Sequence, residues 1–293
     1  MSNPAVSMAA EPAAPPAGVA ARYYLRFGRL ERLMHVLLMF TFIGCALTGL
    51  PLLFADRGWS GPLIRLLGGF EAAGIVHRVC AAVMIVLFVG HVVHVAVRAF
   101  ARGSLLDVLW GPNSLVPQPQ DVVDIYRHFK WFLGKGPRPA FDRFSYWEKF
   151  DYWAVFWGMF IIGGSGLLLW FPMFFAQFMP GWVFNIVTLV HGEEALLAVG
   201  FIFTIHFFNG HLRPEKFPMD LVIFTGRVPE HEMREERPIE YARLAQQGRL
   251  AAQEVGPPAS GTILGGRILG GTALALGIVT IVLIIYSVLI KYS

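Results

Sequence analysis

The stretch Leu189-Val190-His191-Gly192-Glu193-Glu194, which continues through an apolar run to Thr204-Ile205-His206, decides how the chain folds. His191 and His206 lie fifteen residues apart in it. At 1.5 Å per residue this is roughly 22 Å of helix, and fifteen steps of about 100° bring the second side chain to within roughly 60° of the first. One face of one helix therefore presents an imidazole at two depths.

A second apolar run, from Gly74 to Ala99, repeats this arrangement, with His77 and His91 fourteen residues apart. Two apolar helices that each carry two imidazoles at two levels match a bundle that binds haem through pairs of histidines. Polar groups inside a membrane are costly and usually functional. Haem ligation is therefore favoured over packing or proton-relay roles for these side chains.

The composition is that of an integral membrane protein. Of 293 residues, 55% are hydrophobic and only 15% are charged, with a mean hydropathy of +0.55, whereas a soluble domain carries about 25% charged residues. The net charge of +4 is typical of basic cytoplasmic loops. No basic patch alternates with exposed aromatic residues, so no nucleic-acid partner is expected.

The cysteines limit the possible cofactors. Cys45 and Cys80 both fall within apolar runs, and no Cys-x-x-Cys-His motif occurs. Covalent haem attachment through that motif is therefore not expected, and two thiols are too few for an iron–sulfur cluster. We expect both cysteines to be small buried apolar side chains.

The predicted fold is an all-α integral membrane protein, in which a four-helix haem-binding transmembrane bundle is followed by a fifth C-terminal transmembrane helix. Each apolar run is long enough to span the hydrocarbon core of a bilayer. The five helices are predicted at about 33–54, 72–99, 152–175, 183–208 and 268–290.

The segments outside the helices complete the predicted organisation. Residues 1–21, rich in Ala and Pro, predict a disordered tail and lack the pattern of a signal peptide. Residues 22–225 form the haem-binding transmembrane domain. A cytoplasmic segment follows at 226–265, in which 238–253 could form a surface helix.

Loop charges predict the orientation. Four arginines precede the first helix, and eight basic residues lie in each of the segments Arg98–Lys149 and Arg213–Arg267. The 176–182 turn has none, and the 55–73 loop is balanced. The positive-inside rule then places the N-terminus in the cytoplasm and the C-terminus outside, in a bacterial-type cytoplasmic (inner) membrane.

Depth predicts one histidine pair and leaves the other open. Because the second and fourth helices both enter from outside, His77 and His191 are the natural pair for an outer haem. On the cytoplasmic side depth does not decide among five candidates, which are His35, His91, His94, His206 and His211.

Small and charged residues near these levels have two interpretations each. Glycines could make room for a porphyrin edge or for close helix packing; the candidates are Gly44, Gly49, Gly90, the 163–166 stretch and Gly200. Arg78 could pair with Glu193 or Glu194 near the outer boundary, or these charges could handle protons or contact propionates.

Over about residues 25–225 the chain resembles the cytochrome b subunits of formate dehydrogenase-N, membrane-bound nickel–iron hydrogenases and thiosulfate reductases. The matching stretches are Arg32-Leu33-Met34-His35, Ala46-Leu47-Thr48-Gly49, Ile75-Val76-His77, Gly166-Leu167-Leu168-Leu169-Trp170-Phe171-Pro172 and Leu189-Val190-His191. The resemblance implies a di-haem, quinone-reactive protein. Its axial ligands to haem b would be His35, His77, His191 and His206, with His77 paired to His191 and His35 to His206. It also implies a quinone site near the inner haem and an extracytoplasmic iron–sulfur or multihaem cytochrome partner.

The chain departs from this family in three ways. The spacing in its fourth helix is fifteen rather than the usual fourteen, His91 and His94 are additional, and so is the fifth helix. The spacings also resemble the cytochrome b of quinol:cytochrome c complexes, which would pair His91 with His206 and leave His35 free. His91 or His94 could meet His211 around a third haem, or these residues could bond quinone.

The expected function is electron transfer across the membrane between the quinone pool and the extracytoplasmic partner. An alternative is a histidine-lined proton-coupled transporter or channel without haem, which an absorption spectrum would distinguish. A third class, a mere membrane anchor for a soluble enzyme, would not need six histidines within helices.

Overall fold

The computed structural model describes residues 21–101 and 105–291. In chain order its elements are β1 Tyr23–Leu25, α1 Arg29–Leu53, α2 Ser60–Leu66, α3 Phe70–Ala101, α4 Leu105–Trp110, α5 Pro119–Phe132, α6 Tyr146–Trp170, α7 Pro172–Phe175, α8 Trp182–Leu212, α9 Val222–Thr225, β2 Arg227–Pro229, α10 Glu230–Glu236, α11 Pro238–Gln246, β3 Glu254–Val255 and α12 Ser260–Lys291. Five helices, α1, α3, α6, α8 and α12, are long and apolar enough to cross a membrane, as the apolar runs predict. Residues 1–20 of the predicted disordered tail lie outside the described residues.

The ends of the helices differ from the predicted ones where polar residues extend a helix or proline stops it. α6 begins at Tyr146, before the predicted start, because a capping box starts it. The Glu148 carboxylate accepts hydrogen bonds from the backbone N–H and the hydroxyl of Ser145, at 2.8 and 2.7 Å. α6 ends at Trp170 rather than at 175, because Pro172 cannot continue the helix and instead begins α7.

Two of the membrane helices contain wider turns of π-helix. These turns are Met159–Gly163 in α6, and Ile202–His206 and Phe208–Leu212 in α8. A π turn re-aims the side chains around it and frees backbone groups from the usual α pattern, and such turns are frequent at functional sites. In this chain they lie beside the candidate histidines of α8.

The five helices form one bundle. α1 packs along α3 and α6 along α8, while α12 packs against α8 and α9. A buried apolar cluster joins α1, α8 and α12; its members are Ala46, Leu50, Phe54, Val199, Phe203, Phe207 and Ala273. Cys45 and Cys80 are partly buried free thiols. The fifth membrane helix is therefore part of the bundle and not a separate anchor.

A small antiparallel sheet, not predicted from the sequence, lies at one end of the bundle. Its strand order is β2-β1-β3, and Tyr24 of β1 is paired with Val228 and with Glu254. Tyr24 is fully buried in a cluster with Val228, Met233 and Leu244. We call this end, with residues 21–28, 105–145 and 213–259, the capped end, and the opposite end, with loops 54–69 and 171–181, the short-loop end.

Buried ion pairs attach the sheet to the bundle. The guanidinium of Arg26 contacts Glu148 and Glu240, each at 3.3 Å. Arg237 also contacts Glu148, at 3.1 Å, and Arg143 contacts Glu240, at 3.0 Å. A buried charge is tolerated only with partners, so this network fixes the start of α6 against β1 and α11.

A second buried cluster fixes the end of α8. The Lys216 ammonium lies 3.2 Å from a carboxylate oxygen of Asp220 and of Glu236, and also contacts Glu232. Burial alone would lower the pKa of Lys216, but the three carboxylates raise it above its ordinary value. The charged lysine therefore joins the segment after α8 to α10.

Candidate functional site

Two pairs of histidine rings face each other inside the bundle, one pair towards each end. At the short-loop end, His77 of α3 lies opposite His191 of α8, with 6.2 Å between ring centroids and 68° between ring planes. At the capped end, His35 of α1 lies opposite His206 of α8, with 6.4 Å and 37°. α8 contributes one ring to each pair, and its fifteen-residue spacing separates the two levels by roughly 22 Å.

The separation of the rings in both pairs suits a metal held between two imidazoles. Each side contributes a metal–nitrogen bond of about 2 Å and about 1.1 Å from the nitrogen to the ring centre, about 6.2 Å in total for the two sides. Among the described residues, no group of three or more His, Cys, Asp and Glu side chains is placed to hold a metal ion by itself. Two imidazoles on opposite sides of one metal fit an ion whose other ligands come from a macrocycle, as in haem.

Hydrogen bonding fixes the orientation of His77. Its Nδ1 lies 2.9 Å from the Thr48 hydroxyl. That hydroxyl donates its own proton to the Gly44 carbonyl, at 2.6 Å, so it accepts from His77. Nδ1 is therefore protonated, and Nε2 keeps its lone pair for a metal.

His191 is held in the same way by α6. Its Nδ1 lies 3.1 Å from the Ile162 carbonyl and 3.1 Å from the Ser165 hydroxyl. A carbonyl only accepts, so Nδ1 carries the proton here as well. Ile162 belongs to the π turn of α6, which relates the irregular backbone to the orientation of the ring.

A glycine follows the hydroxyl residue in both helices and makes room for the ring. A Cβ at Gly49 would lie 3.3 Å from Cε1 of His77, and a Cβ at Gly166 would lie 3.1 Å from Cε1 of His191. The dipeptides Thr48-Gly49 and Ser165-Gly166 therefore have the same function on two helices. From the sequence, these glycines are candidates for porphyrin space or for close helix packing, and no role is predicted for the hydroxyls.

The pair at the capped end has a different environment. The Nδ1 of His206 lies 3.0 Å from Oδ2 of Asp151, a partner that the sequence analysis missed. A carboxylate accepts, so His206 donates from Nδ1 and also keeps Nε2 free. The Nδ1 of His35 is buried, and no residue of the described part of the chain bonds it. Both rings of the His77–His191 pair are thus hydrogen-bonded to neutral groups. In the His35–His206 pair, His206 is hydrogen-bonded to a carboxylate, and His35 has no such partner in the described part of the chain.

The other candidate histidines make different contacts. The Nε2 of His91 lies 2.8 Å from the Tyr152 hydroxyl, and the two rings are edge to face. His94 approaches Arg98 of its own helix, at 3.5 Å, and His211 packs edge-on against Phe207. The structure therefore brings His206 opposite His35 and places His91 beside Tyr152.

One continuous cavity of about 2740 Å³ joins these residues. It is several times larger than the roughly 300–1,000 Å³ of a typical small-molecule pocket. All seven candidate histidines line it, as do the arginines of the capped-end network, Arg26, Arg143 and Arg237. The cavity has room for large apolar groups at both levels.

The charges at the short-loop end are arranged differently from the expected ion pair. The Glu194 carboxylate accepts a hydrogen bond from the Trp157 indole, at 3.2 Å. Within the described residues, Arg78 is exposed and forms no ion pair with Glu193 or Glu194.

Comparison of the chain with protein-family models gives no match, and comparison with curated proteins gives none either.

Proposed function

We propose that the chain is a b-type cytochrome of the membrane that transfers electrons between the quinone pool and a redox partner. The observation that carries this proposal is the matched separation of the rings, 6.2 and 6.4 Å, in two histidine pairs at two levels. His77 and His191 would ligate one haem b, and His35 and His206 a second. Haem iron, when bound, accepts and releases single electrons.

The protein's own groups would orient the ligands and keep water away from them. Thr48 and Ser165 hold the His77 and His191 rings, while Asp151 holds His206. Hydrogen bonds of this kind fix the tautomer of a ligand and raise its basicity. Apolar side chains, among them Ala46, Leu50 and Phe203, line the same cavity as the histidine pairs.

Charge supports one orientation of the bundle. The capped end carries most of the basic residues of the two segments Arg98–Lys149 and Arg213–Arg267, so it would face the cytoplasm of a bacterial-type inner membrane. The short-loop end presents exposed apolar side chains, such as Leu66, Met173 and Phe178. An extracytoplasmic iron–sulfur or multihaem subunit could dock there, as the resemblance to cytochrome b subunits implies.

Quinone would react near the capped end. His91 and Tyr152 supply an imidazole and a phenol 2.8 Å apart, on the wall of the cavity. Such groups can bond quinone oxygens. A third haem held by His91 or His94 with His211 is the alternative, and haem counts of His94→Ala and His211→Ala distinguish the two. Loss of the same single haem by both supports a third site, whereas full haem content with impaired quinol oxidation supports a quinone role.

An absorption spectrum with a pyridine haemochrome assay tests the proposal. The purified chain should show b-type bands that shift on reduction, with two haems per chain. His231→Ala is the matched control for the histidine variants, because His231 is exposed on α10 and is not among the residues that line the cavity. A folded chain expressed with adequate haem supply but without b-type bands refutes the proposal and favours a histidine-lined transporter or channel.

A further inference from the structure

Helix α5 is amphipathic in the opposite sense to a helix on a soluble domain. Its apolar side chains are exposed: Tyr126 and Phe129 are each 64% exposed and Phe132 is 67% exposed. Its two acidic residues, Asp121 and Asp124, are 9% and 6% exposed. A surface helix in water shows the reverse, with its polar face outward.

The polar face is directed inward because it binds α6. Asp121 forms two hydrogen bonds with the Lys149 ammonium, at 2.8 and 2.9 Å. Further along α5, Nδ1 of His128 lies 3.0 Å from the Tyr146 hydroxyl. These contacts fix the rotation of α5 about its own axis, and in that orientation its apolar face points away from the protein.

The contacts also fix the depth of α5 in the bundle. The loop before it meets Trp153, whose indole donates to the Leu115 carbonyl at 3.0 Å. The partners of α5 on α6 thus lie between Tyr146 and Trp153, where the polar start of α6 gives way to its apolar run from about residue 152. In a bilayer that α6 crosses, such a change from polar to apolar side chains would mark the boundary between headgroups and acyl chains.

The exposed charges of this region are positive. Between Gly111 and Arg138 the only acidic residues are the buried Asp121 and Asp124. The basic residues of the same stretch include Arg127, whose side chain is 58% exposed although it lies 3.7 Å from Asp124. Lys130, whose ammonium lies over the Tyr126 ring, and the exposed Lys135 follow. A basic, outward-facing apolar helix is typical of elements that lie in the plane of an anionic membrane surface.

Exposed apolar side chains also occur on the two helices that precede α5. Val97 and Phe100 at the end of α3, and Leu106 and Trp110 of α4, are all more than half exposed. α3, which is long and apolar enough to cross a membrane, and α4 therefore expose side chains of the same kind as α5. Such side chains on a membrane-spanning helix face lipid, which favours lipid over a soluble protein as the occupant of the α5 face.

We propose that α5 is an interfacial helix that inserts its face of Tyr126, Phe129 and Phe132 into the headgroup–acyl boundary and binds anionic lipid through Arg127, Lys130 and Lys135. The segment between α3 and α6 is then a membrane-bound element and not an aqueous loop. This inference does not depend on haem binding.

Spin labels in the full chain test the proposal. In a Cys45→Ala, Cys80→Ala background, labels are placed by Tyr126→Cys and Phe129→Cys, and the protein is reconstituted into phosphatidylcholine vesicles with and without phosphatidylglycerol. Val86→Cys, on an exposed position in the middle of α3, is the bilayer reference, and Gln246→Cys, exposed on α11, is the aqueous reference. Each variant is used only if it is monodisperse after purification.

The α5 labels should be more accessible to molecular oxygen and less accessible to a water-soluble nickel complex than the Gln246 label, with values between those at Gln246 and at Val86. With phosphatidylglycerol present they should shift deeper, and Arg127→Gln, Lys130→Gln, Lys135→Gln together should abolish that shift. Nickel accessibility equal to that at Gln246 would overturn the proposal. Exclusion of both reagents would also overturn it, because a protein partner or a second copy then covers the face. Lipid burial without any effect of phosphatidylglycerol would refute the anionic-lipid part.

Discussion

Replacing Asp151 with asparagine would remove a negative charge beside His206 and keep a hydrogen-bond acceptor in its place. The carboxylate oxygen lies 3.0 Å from Nδ1 of His206. On the proposed function, the Nε2 of that ring ligates haem iron. The charge of Asp151 then favours the ferric state over the ferrous state, and the substitution should raise the midpoint potential of the capped-end haem.

The size of the shift follows from the geometry. A metal bound at Nε2 lies about 4 Å beyond Nδ1, so the carboxylate is about 7 Å from it. At an effective dielectric constant of about 20, a unit charge at that distance contributes about 2.4 kcal/mol. For a one-electron couple this is about 100 mV, since a tenfold change in the equilibrium constant is about 59 mV. Mutation of the hydrogen-bond partner of a metal-bound histidine typically changes metal affinity about 10–100-fold, which corresponds to an energy similar to this estimate.

The assay is a redox titration of the purified protein followed by absorption and by the paramagnetic resonance of the ferric haems. Haem content is measured first, so that loss of haem is separated from a change of potential. Ser165→Ala is the matched control, because the Ile162 carbonyl still accepts from Nδ1 of His191 at 3.1 Å. We expect that variant to move the potential of the short-loop-end haem only slightly.

Three results would contradict the reasoning about Asp151. Equal shifts of both haems would mean that the charge acts over the whole bundle rather than through His206. A lowered potential would have the wrong sign for removal of a negative charge. An unchanged potential with full haem content would mean that Asp151 has no electronic effect on the ligand.

The other predictions concern pairing, stability and topology. His77→Ala and His191→Ala should remove the same spectral component, and removal of different components would show that the pairing is wrong. Lys216→Met should destabilise the fold by about 3–5 kcal/mol, as expected when a buried ion pair loses one partner, measured by thermal unfolding in detergent. Because the pKa of Lys216 is raised above 10.5, its contribution should be complete below about pH 10.5 and decline at higher pH, and Lys216→Met should lack that decline. A reporter fused after Ser293 should face outward, since five spans place the termini on opposite sides, and a cytoplasmic reporter in a folded protein would contradict the orientation.

The membrane helices were predictable because hydropathy is a local property. Each apolar run is long enough to specify its own helix without knowledge of the rest of the chain. Helix ends depend on particular polar contacts, such as the Ser145–Glu148 capping box, and this box is readable in the sequence as Ser-x-x-Glu. The start of α6 could therefore have been predicted from the sequence, although hydropathy alone predicted a start at about residue 152.

The sheet at the capped end was not predictable in the same way. β1 and β2 have three residues each and β3 has two, which is too short for an alternating pattern to stand out. Tyr24 also pairs with Val228 and Glu254, more than 200 residues away along the chain. Contacts of that range follow from the packing of the whole bundle.

The candidate site, like the fold, was predictable only in part. The depth of His77, His191, His35 and His206 follows from position along a helix, so their levels could be predicted from spacing. The groups that hold the rings come from other helices: Asp151 is 55 residues from His206 along the chain. Nothing local in the sequence relates two such residues, and the π turns of α6 and α8 further change which side chains meet. Counting along the sequence predicted His77 and His191 as one pair and left five candidates for the other, and the resemblance to cytochrome b subunits supplied His35 with His206. The difference between the neutral partners of one pair and the carboxylate of the other required the structure. On the proposed function, that difference should separate the potentials of the two haems, which spacing alone could not supply.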